Sequence, residues 1–176
     1  MTKQIKNVKI PILLIVFSTF TALSFNILSL KVNTTTSLPY GIYKLNKDKI
    51  TIQKKDLVLF CLNKSNSHKY GRRGYLGYGH CNLSLSPIGK QIVATPGDDI
   101  SVSSKGIIVN NNYLPNTQKA YADVFGNHLT GANIRKILDK DEYLVASFKE
   151  NSFDSRYFGI VRKEEIIGKL KAIYTV

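Results

Sequence analysis

A long uncharged apolar run near the N-terminus constrains this chain more than any other feature. Residues 10–30 read IPILLIVFSTFTALSFNILSL and contain no Asp, Glu, Lys or Arg. As a helix this segment would be roughly 31 Å long at about 1.5 Å per residue, which matches a hydrocarbon core of about 30 Å. We therefore predict a transmembrane anchor at residues 10–30, followed by one folded domain.

The lysines around this run predict its orientation in the membrane. Three lysines precede it within residues 1–9, whereas only Lys31 follows it closely. Positive charges are retained on the cytoplasmic side, so residues 1–9 are expected in the cytoplasm. Residues 32–176 are then expected beyond the inner (cytoplasmic) membrane, in a periplasmic or other extracytoplasmic space. The lipid bilayer is thus a predicted partner.

A cleaved signal peptide is the alternative interpretation of the same run. Ala22-Leu23-Ser24 provides small residues at the spacing that a leader-peptide cleavage site requires. The apolar run continues past that site to Leu30, however, and this favours an anchor that is kept.

Beyond the anchor, the sequence predicts a mostly β domain. Short runs rich in β-branched and aromatic residues alternate with Gly, Asn and Pro, as is typical of strands joined by turns. The predicted strands cover residues 56–63, 90–95, 100–102, 106–109, 142–148, 157–161 and 168–176. Residues 131–138 predict a helical turn. The polar, Gly- and Tyr-rich segment 63–87 has too little apolar content for a core and predicts an inserted surface loop.

The charge balance restricts the partners of this domain. Lys and Arg number 25 against 12 Asp and Glu, which gives a formal net charge of +13. Such a charge suits an anionic membrane surface, an acidic protein or a nucleic acid. Residues 69–78 place Arg72 and Arg73 among tyrosines, which also fits a catalytically silent, membrane-anchored module that binds anionic lipid or single-stranded nucleic acid. Nucleic acid is not expected, because the predicted topology places this loop outside the cytoplasm.

Two cysteines and three histidines raise the question of a disulfide or a metal site. In an oxidising compartment, Cys61 and Cys81 are expected to form a disulfide that closes a loop of about 20 residues and contributes about 3 kcal/mol. The alternatives are two unpaired thiols, or a metal site that adds His68 and His80. That spacing matches no familiar zinc pattern, so we predict no metal ion. His128 stands alone, and no histidine has neighbours that indicate a His-based triad.

Three further passages hold polar residues that are ordinary when taken one at a time. Ser37 lies in a Pro- and Gly-containing turn shortly after the anchor. Lys90 begins an apolar strand, where a lysine most often extends its amine towards water. A polar cluster at residues 151–156 precedes a later predicted strand.

Together, the three passages resemble the membrane-bound serine–lysine (type I) signal peptidases, and among them the TraF-type peptidases of conjugative transfer systems. Ser-Leu-Pro-Tyr-Gly-Ile-Tyr, which begins at Ser37, is similar to the TraF-type nucleophile box, with Leu38 where Met is usual. Lys90 precedes Gly97-Asp98 by the family's spacing, and residues 152–159 resemble its Ser-x-Asp-Ser-Arg-x-x-Gly box. The resemblance implies a signal-peptidase-like β domain on one N-terminal transmembrane helix.

The resemblance also implies a role for each residue of these boxes. Ser37 would be the nucleophile, Lys90 the general base, and Ser152 the group that orients the Lys90 amine. The Ser37 N–H and the Thr35 hydroxyl would form the oxyanion hole. The acyl-enzyme chemistry of such a serine–lysine dyad requires no metal or cofactor.

A lysine acts as a base only when it is neutral, so the surroundings of Lys90 must lower its pKa from about 10.4. Burial on an apolar strand produces such a shift, whereas a nearby carboxylate would cancel it. Asp98 and Asp154 are therefore expected to pair elsewhere, and Arg156 is the expected partner of one of them in a structural ion pair.

The substrate implied by the resemblance is a membrane-tethered precursor that is cut after small residues. The TraF-type likeness points to a pilin-like subunit of a conjugation or type IV secretion machine. General removal of secretory signal peptides is the alternative with the same chemistry.

Overall fold

The computed structural model describes residues 10–19, 29–48, 51–71, 73–123 and 125–176. Residues 10–19 form helix α1, whose side chains are exposed. Residues 20–28 of the predicted anchor lie outside the described residues. Within the described ranges, no helix is both long and apolar enough to cross a membrane. Leu30, predicted as the last residue of the anchor, is the first residue of a β-strand.

Strands dominate the part of the chain that is described, and all of their pairings are antiparallel. In chain order they are β1 (Leu30–Asn33), β2 (Gly41–Asn46), β3 (Leu57–Phe60), β4 (Ile88–Ala94), β5 (Asp99–Ser103), β6 (Gly106–Val109), β7 (Asn112–Leu114), β8 (Ile134–Ile137), β9 (Glu142–Ala146), β10 (Val161–Arg162) and β11 (Ile166–Thr175). The larger sheet has the order β1-β2-β11-β3-β4-β9-β10, and the smaller has the order β7-β6-β5-β8. The prediction of a mostly β domain is confirmed.

Strand β4 lies inside the larger sheet, between β3 and β9. Its residues are buried in alternation, because successive side chains of a strand point to opposite faces. Lys90 therefore shares the buried face of β4 with Ile92 and Ala94, as the sequence pattern predicts. The two-residue period of β4 thus places the polar Lys90 amine in an apolar layer.

Two segments differ from the prediction. Residues 131–138, predicted as a helical turn, contain strand β8, which pairs with β5. Residues 157–161, predicted as a strand, are divided between helix α3 (Ser155–Phe158) and β10. Asp154 caps α3 by accepting a hydrogen bond from the Arg156 backbone N–H, and such a cap starts a helix whatever the β propensity of the residues that follow.

The polar segment 63–87 is more than a surface loop. It contains helix α2 (Lys64–Gly71) and a 3-10 turn at Asn82–Ser84. Tyr70 of α2 is 1% exposed, belongs to the main apolar cluster, and donates a 2.7 Å hydrogen bond to the Tyr157 carbonyl oxygen. The average polarity of the segment conceals this contact, because one aromatic side chain is enough to attach the helix to the core.

Candidate active site

Ser37 lies in a turn between β1 and β2 that the side chain of Asn33 holds in shape. Asn33 Oδ1 accepts hydrogen bonds from the Thr35 backbone N–H at 3.2 Å and from the Thr35 hydroxyl at 2.8 Å. Asn33 Nδ2 donates to the carbonyl oxygens of Thr35, Leu38 and Pro39 at 2.9 to 3.0 Å. These contacts fix the backbone on both sides of Ser37, which is half-buried.

The amine of Lys90 contacts two serine hydroxyls. Nζ is hydrogen-bonded to Ser37 Oγ and lies 2.8 Å from Ser152 Oγ. Lys90 is only 2% exposed and Ser152 only 5% exposed. The fold thus brings together three residues that the sequence separates by 53 and 62 positions.

Burial lowers the pKa of Lys90 from 10.5 to about 8. The charge of Asp154 raises this pKa and the charge of Arg156 lowers it, so the two neighbouring charges oppose each other. Among the described residues, no carboxylate forms an ion pair with Lys90. Loss of hydration therefore remains the main effect on the amine, as expected for a lysine in an apolar layer.

Asp154 and Arg156 form a fully buried bidentate ion pair next to this serine–lysine cluster. Arg156 Nε and Nη2 donate to the two carboxylate oxygens at 2.8 and 2.7 Å, and both side chains are 0% exposed. The Nη1 and Nη2 groups also donate to the backbone carbonyl oxygens of Asn116, Gln118, Ser147, Lys149 and Glu150. A buried ion pair needs such additional partners, because its desolvation is otherwise too unfavourable.

Ser147 joins this ion pair to the turn that carries Ser37. Its hydroxyl donates a 3.0 Å hydrogen bond to the Ser37 carbonyl oxygen. Its backbone N–H donates to Asp154 Oδ2 at 3.1 Å, and its carbonyl oxygen accepts from Arg156. The ion pair therefore supports the backbone of Ser37 through a single intervening residue.

Asp98 pairs outside the serine–lysine cluster. Its carboxylate forms a 2.7 Å ion pair with Lys54 and accepts a 2.6 Å hydrogen bond from Asn110 Nδ2. Burial acts to raise the pKa of Asp98, but hydrogen bonds from Lys54, Thr95 and Asn110 outweigh it and lower the pKa. The carboxylate thus stabilises the turn between β4 and β5.

Thr35, predicted as an oxyanion donor, is exposed. Its hydroxyl donates to Asn33 within the same turn. Thr35 and Ser37 nevertheless border the same cleft. In this conformation the Thr35 hydroxyl stabilises the turn through its hydrogen bond with Asn33.

Ser37 lies between two clefts. The larger has a volume of about 830 Å³ and is bordered by residues that include Tyr40, Gln91, Ser147 and Phe148. The second has a volume of about 460 Å³ and is bordered by residues that include Thr35, Lys90, Tyr75, Pro87 and Phe153. Ser37 is thus a border residue of both clefts.

The cysteines are joined in a Cys61–Cys81 disulfide. Both sulfurs are therefore occupied, which removes two of the four ligands of the alternative metal site. His128 packs its ring against Tyr121, with 4.7 Å between the ring centroids. Within the described residues, no group of acidic, His and Cys side chains is arranged to hold a metal ion.

Sequence comparison establishes the family of this chain. The family model described as "Signal peptidase, peptidase S26" matches residues 2–175, so the chain belongs to this family of serine peptidases. The plasmid transfer protein TraF of Escherichia coli is 30% identical over 148 residues, which cover 82% of each chain. The conjugal transfer protein TraF of Agrobacterium fabrum is 26% identical over 146 residues, again 82% of each. The resemblance to TraF-type signal peptidases is confirmed.

Among solved structures, a signal peptidase I from Enterococcus faecalis V583 covers 69% of this chain and 98% of its own. The sequence identity is 16% and the TM-score is 0.39.

Sequence reasoning missed two residues at this site, Asn33 and Ser147. Asn33 offers a weak signal, since Asn often forms hydrogen bonds with the backbone a few residues further on. Ser147 offers none, because its contact with Ser37 joins residues 110 positions apart. The pairing of β9 with β4 brings Ser147 near the turn that carries Ser37.

Proposed function

We propose that this chain is a membrane-bound serine endopeptidase in which Ser37 and Lys90 form the catalytic dyad. The observation that carries the proposal is the buried Lys90 amine, which is hydrogen-bonded to the hydroxyls of Ser37 and Ser152 and has a lowered pKa. At pH 7, a lysine with a pKa of about 8 is neutral in roughly one molecule in ten. A lysine with an unshifted pKa would be neutral in roughly one in 2,500.

The dyad would act through an acyl-enzyme. Ser37 Oγ attacks the scissile carbonyl carbon, while its proton passes to the neutral amine of Lys90. The resulting ammonium group returns this proton to the leaving amine as the peptide C–N bond breaks. A water molecule then attacks the Ser37 ester, again with Lys90 as base, and the proton passes back to Ser37 Oγ when the acid product leaves. Ser152 orients Lys90 through both steps.

The oxyanion of each tetrahedral intermediate would be stabilised by the Ser37 backbone N–H and the Thr35 hydroxyl. Thr35 must release Asn33 to do so, because its single hydroxyl proton is donated to that side chain in the free protein. A change of rotamer on substrate binding is sufficient. One oxyanion donor typically contributes about 10²–10³ in rate, so Thr35→Ala is expected to lower kcat by that factor.

The proposed substrate is a membrane-tethered, pilin-like precursor in conjugative transfer or type IV secretion. The names of the relatives support a role in conjugative transfer, since two are called plasmid transfer and conjugal transfer proteins. An anchor that begins at residue 10 and ends before β1, with the domain outside the inner membrane, would hold Ser37 near the bilayer. General secretory signal-peptide removal is the alternative, and it predicts cleavage of many unrelated precursors.

The test is cleavage of a co-expressed pilin-type precursor and a secretory precursor, followed by mass spectrometry. Wild type is compared with Ser37→Ala and Lys90→Ala. Ser104→Ala and Lys105→Ala are matched controls, because both residues are exposed in the turn between β5 and β6. Cleavage that disappears only in the first two variants supports the dyad. Cleavage that survives in either one refutes the role of that residue.

The same experiment separates the remaining alternatives. Preference for the pilin-type precursor supports a dedicated peptidase, and equal cleavage of both supports a general one. A wild type that cleaves neither, although it is correctly inserted, would favour a catalytically silent binding module. That module predicts loss of function on neutralising Arg72 and Arg73, with Ser37→Ala harmless.

A further inference from the structure

A pair of aromatic rings closes the cleft that contains Lys90. Tyr75 and Phe153 both border this 460 Å³ cleft, with their ring centroids 5.4 Å apart. Tyr75 and Phe153 also border another pocket, which has a volume of about 250 Å³. The rings therefore form a partition between the cleft at Ser37 and a separate pocket behind it.

Tyr75 is held in place by its hydroxyl. Oη donates a 2.6 Å hydrogen bond to Asp123 Oδ2. Asp123 is itself fixed, because Oδ1 accepts from the backbone N–H groups of Phe125 and Asn127 at 2.9 and 2.8 Å. The phenol is thus attached to a carboxylate that backbone N–H groups hold in place.

Phe153 is held by the rings around it. Its centroid lies 4.9 Å from that of Tyr70, 6.0 Å from that of Tyr157 and 5.3 Å from that of Phe158. Phe153 also follows Ser152 directly, so a shift of its ring would disturb the group that contacts Lys90. Both halves of the partition are therefore fixed by contacts outside the cleft.

The pocket behind the partition could receive a large side chain. It is bordered mainly by apolar or aromatic residues, namely Ala120, Ala122, Leu129 and Tyr157, with Asn151 and Asp123 at its polar part. A cavity of about 150 Å³ is enough to bind benzene, so a volume of about 250 Å³ is sufficient for an aromatic side chain.

We infer that Tyr75 is a specificity-determining residue, whose ring excludes large substrate side chains from the pocket behind the Lys90 cleft. This inference rests on the proposed peptidase function. A substrate side chain that points at these rings cannot extend beyond them, because the partition separates the cleft from the pocket. Loss of the Tyr75 ring would join the cleft to the pocket and favour Leu or Phe at that one substrate position.

The test uses full-length wild type, Tyr75→Ala and Tyr75→Phe on a set of synthetic peptides. Each position on both sides of the scissile bond carries Ala, Leu or Phe in turn, and kcat/KM is measured by mass spectrometry. Tyr75→Ala should raise the ratio of large to small residues by about tenfold or more at one position. Tyr75→Phe keeps the ring and should retain the wild-type profile. An unchanged profile in Tyr75→Ala overturns the inference.

A second measurement does not depend on activity. The structure of Tyr75→Ala should contain one continuous cavity that reaches from Lys90 to Ala120. If Phe153 moves into the gap and keeps the two spaces apart, the inference fails even when the peptidase is active. If wild type cleaves none of the peptides or precursors, the proposed function fails, and the structure of the variant still decides whether Tyr75 is the partition.

Discussion

At the scale of single residues, the lowered pKa of Lys90 determines how activity should depend on pH. With a pKa of about 8, the fraction of neutral amine increases about tenfold per pH unit below that value. We expect kcat/KM to rise with pH and to level off above about pH 8, since this parameter reports the free enzyme. A pH profile of precursor cleavage measures this dependence of kcat/KM on pH. A plateau that already begins near pH 6 would exclude Lys90 as the base.

Lys90 should also lower the stability of the fold near neutral pH. The folded protein binds this proton with a pKa of about 8, against 10.5 for an ordinary lysine. The unfolded chain binds more protons between these values, so stability rises with pH from about 8 to 10.5. Lys90→Met should therefore increase the free energy of unfolding by about 3 kcal/mol at pH 7, and the gain should shrink above pH 8.

Urea unfolding at pH 7 and pH 9.5 checks this expectation. Lys105→Met is the control, because Lys105 is exposed and its replacement should not introduce a comparable pH dependence. A gain for Lys90→Met that is equal at both pH values would show that packing, and not the charge, is responsible.

Ser147 should affect catalysis through the position of Ser37. Ser147→Ala removes a 3.0 Å hydrogen bond to the Ser37 carbonyl oxygen, which is worth about 1 kcal/mol. We expect kcat to fall roughly fivefold with little change in KM, and hydrogen exchange across residues 34–40 to increase. Ser147→Thr keeps a hydroxyl and should recover part of the loss. Equal losses in both variants would indicate disturbed packing instead.

At the scale of elements, the disulfide stabilises one wall of the Lys90 cleft. Cys61 and Cys81 are 20 positions apart and enclose α2, and Tyr75 to Gly77 of the same segment border the cleft. The double variant Cys61→Ala/Cys81→Ala should lose about 3 kcal/mol of stability. Thermal unfolding with and without reductant measures the effect. Reductant should shift wild type towards the variant and leave the variant unchanged.

The pairing of β2 with β11 depends on a close approach at Gly41. A Cβ at this position would lie 2.0 Å from the Tyr174 carbonyl oxygen, and the φ angle is +153°. Gly41→Ala should therefore separate the two strand ends, lower Tm and reduce activity, since β2 follows the Ser37 turn directly. Gly77→Ala is the control, because its Cβ would meet only Ser86 Oγ, at 3.9 Å. Equal Tm values for the two variants would contradict this account.

At the scale of the whole molecule, the most important prediction concerns the orientation of the chain in the membrane. The proposed function requires residues 32–176 outside the inner membrane and residues 1–9 in the cytoplasm. Full-length protein should therefore remain with membranes after alkaline or high-salt washing, and protease added to spheroplasts should digest the domain. Resistance to that protease, together with release by salt, would place the domain in the cytoplasm and contradict the proposed localisation.

The sequence alone could predict the family, the mostly β class and the candidate site residues of the boxes. It could do so because strand alternation is local: the period of two is sufficient to place Lys90 on the same face as Ile92 and Ala94. The family's short sequence motifs also follow one another in a set order along the chain. Ser37, Lys90 and Ser152 can therefore be recognised without knowledge of the contacts between them.

How these residues meet depends on contacts between distant parts of the chain. Antiparallel pairing of distant strands brings Ser147 to Ser37 and the Ser37 hydroxyl to Lys90, and no local pattern encodes such contacts. The Asp154 cap that starts a helix in place of the predicted strand is a local contact, which β propensity alone does not reveal. Tyr75 and Phe153 lie together because they pack with Leu129 against the apolar cluster that includes Tyr70 of α2. Burial, which lowers the pKa of Lys90 and gives the site its proposed chemistry, is a property of that packing.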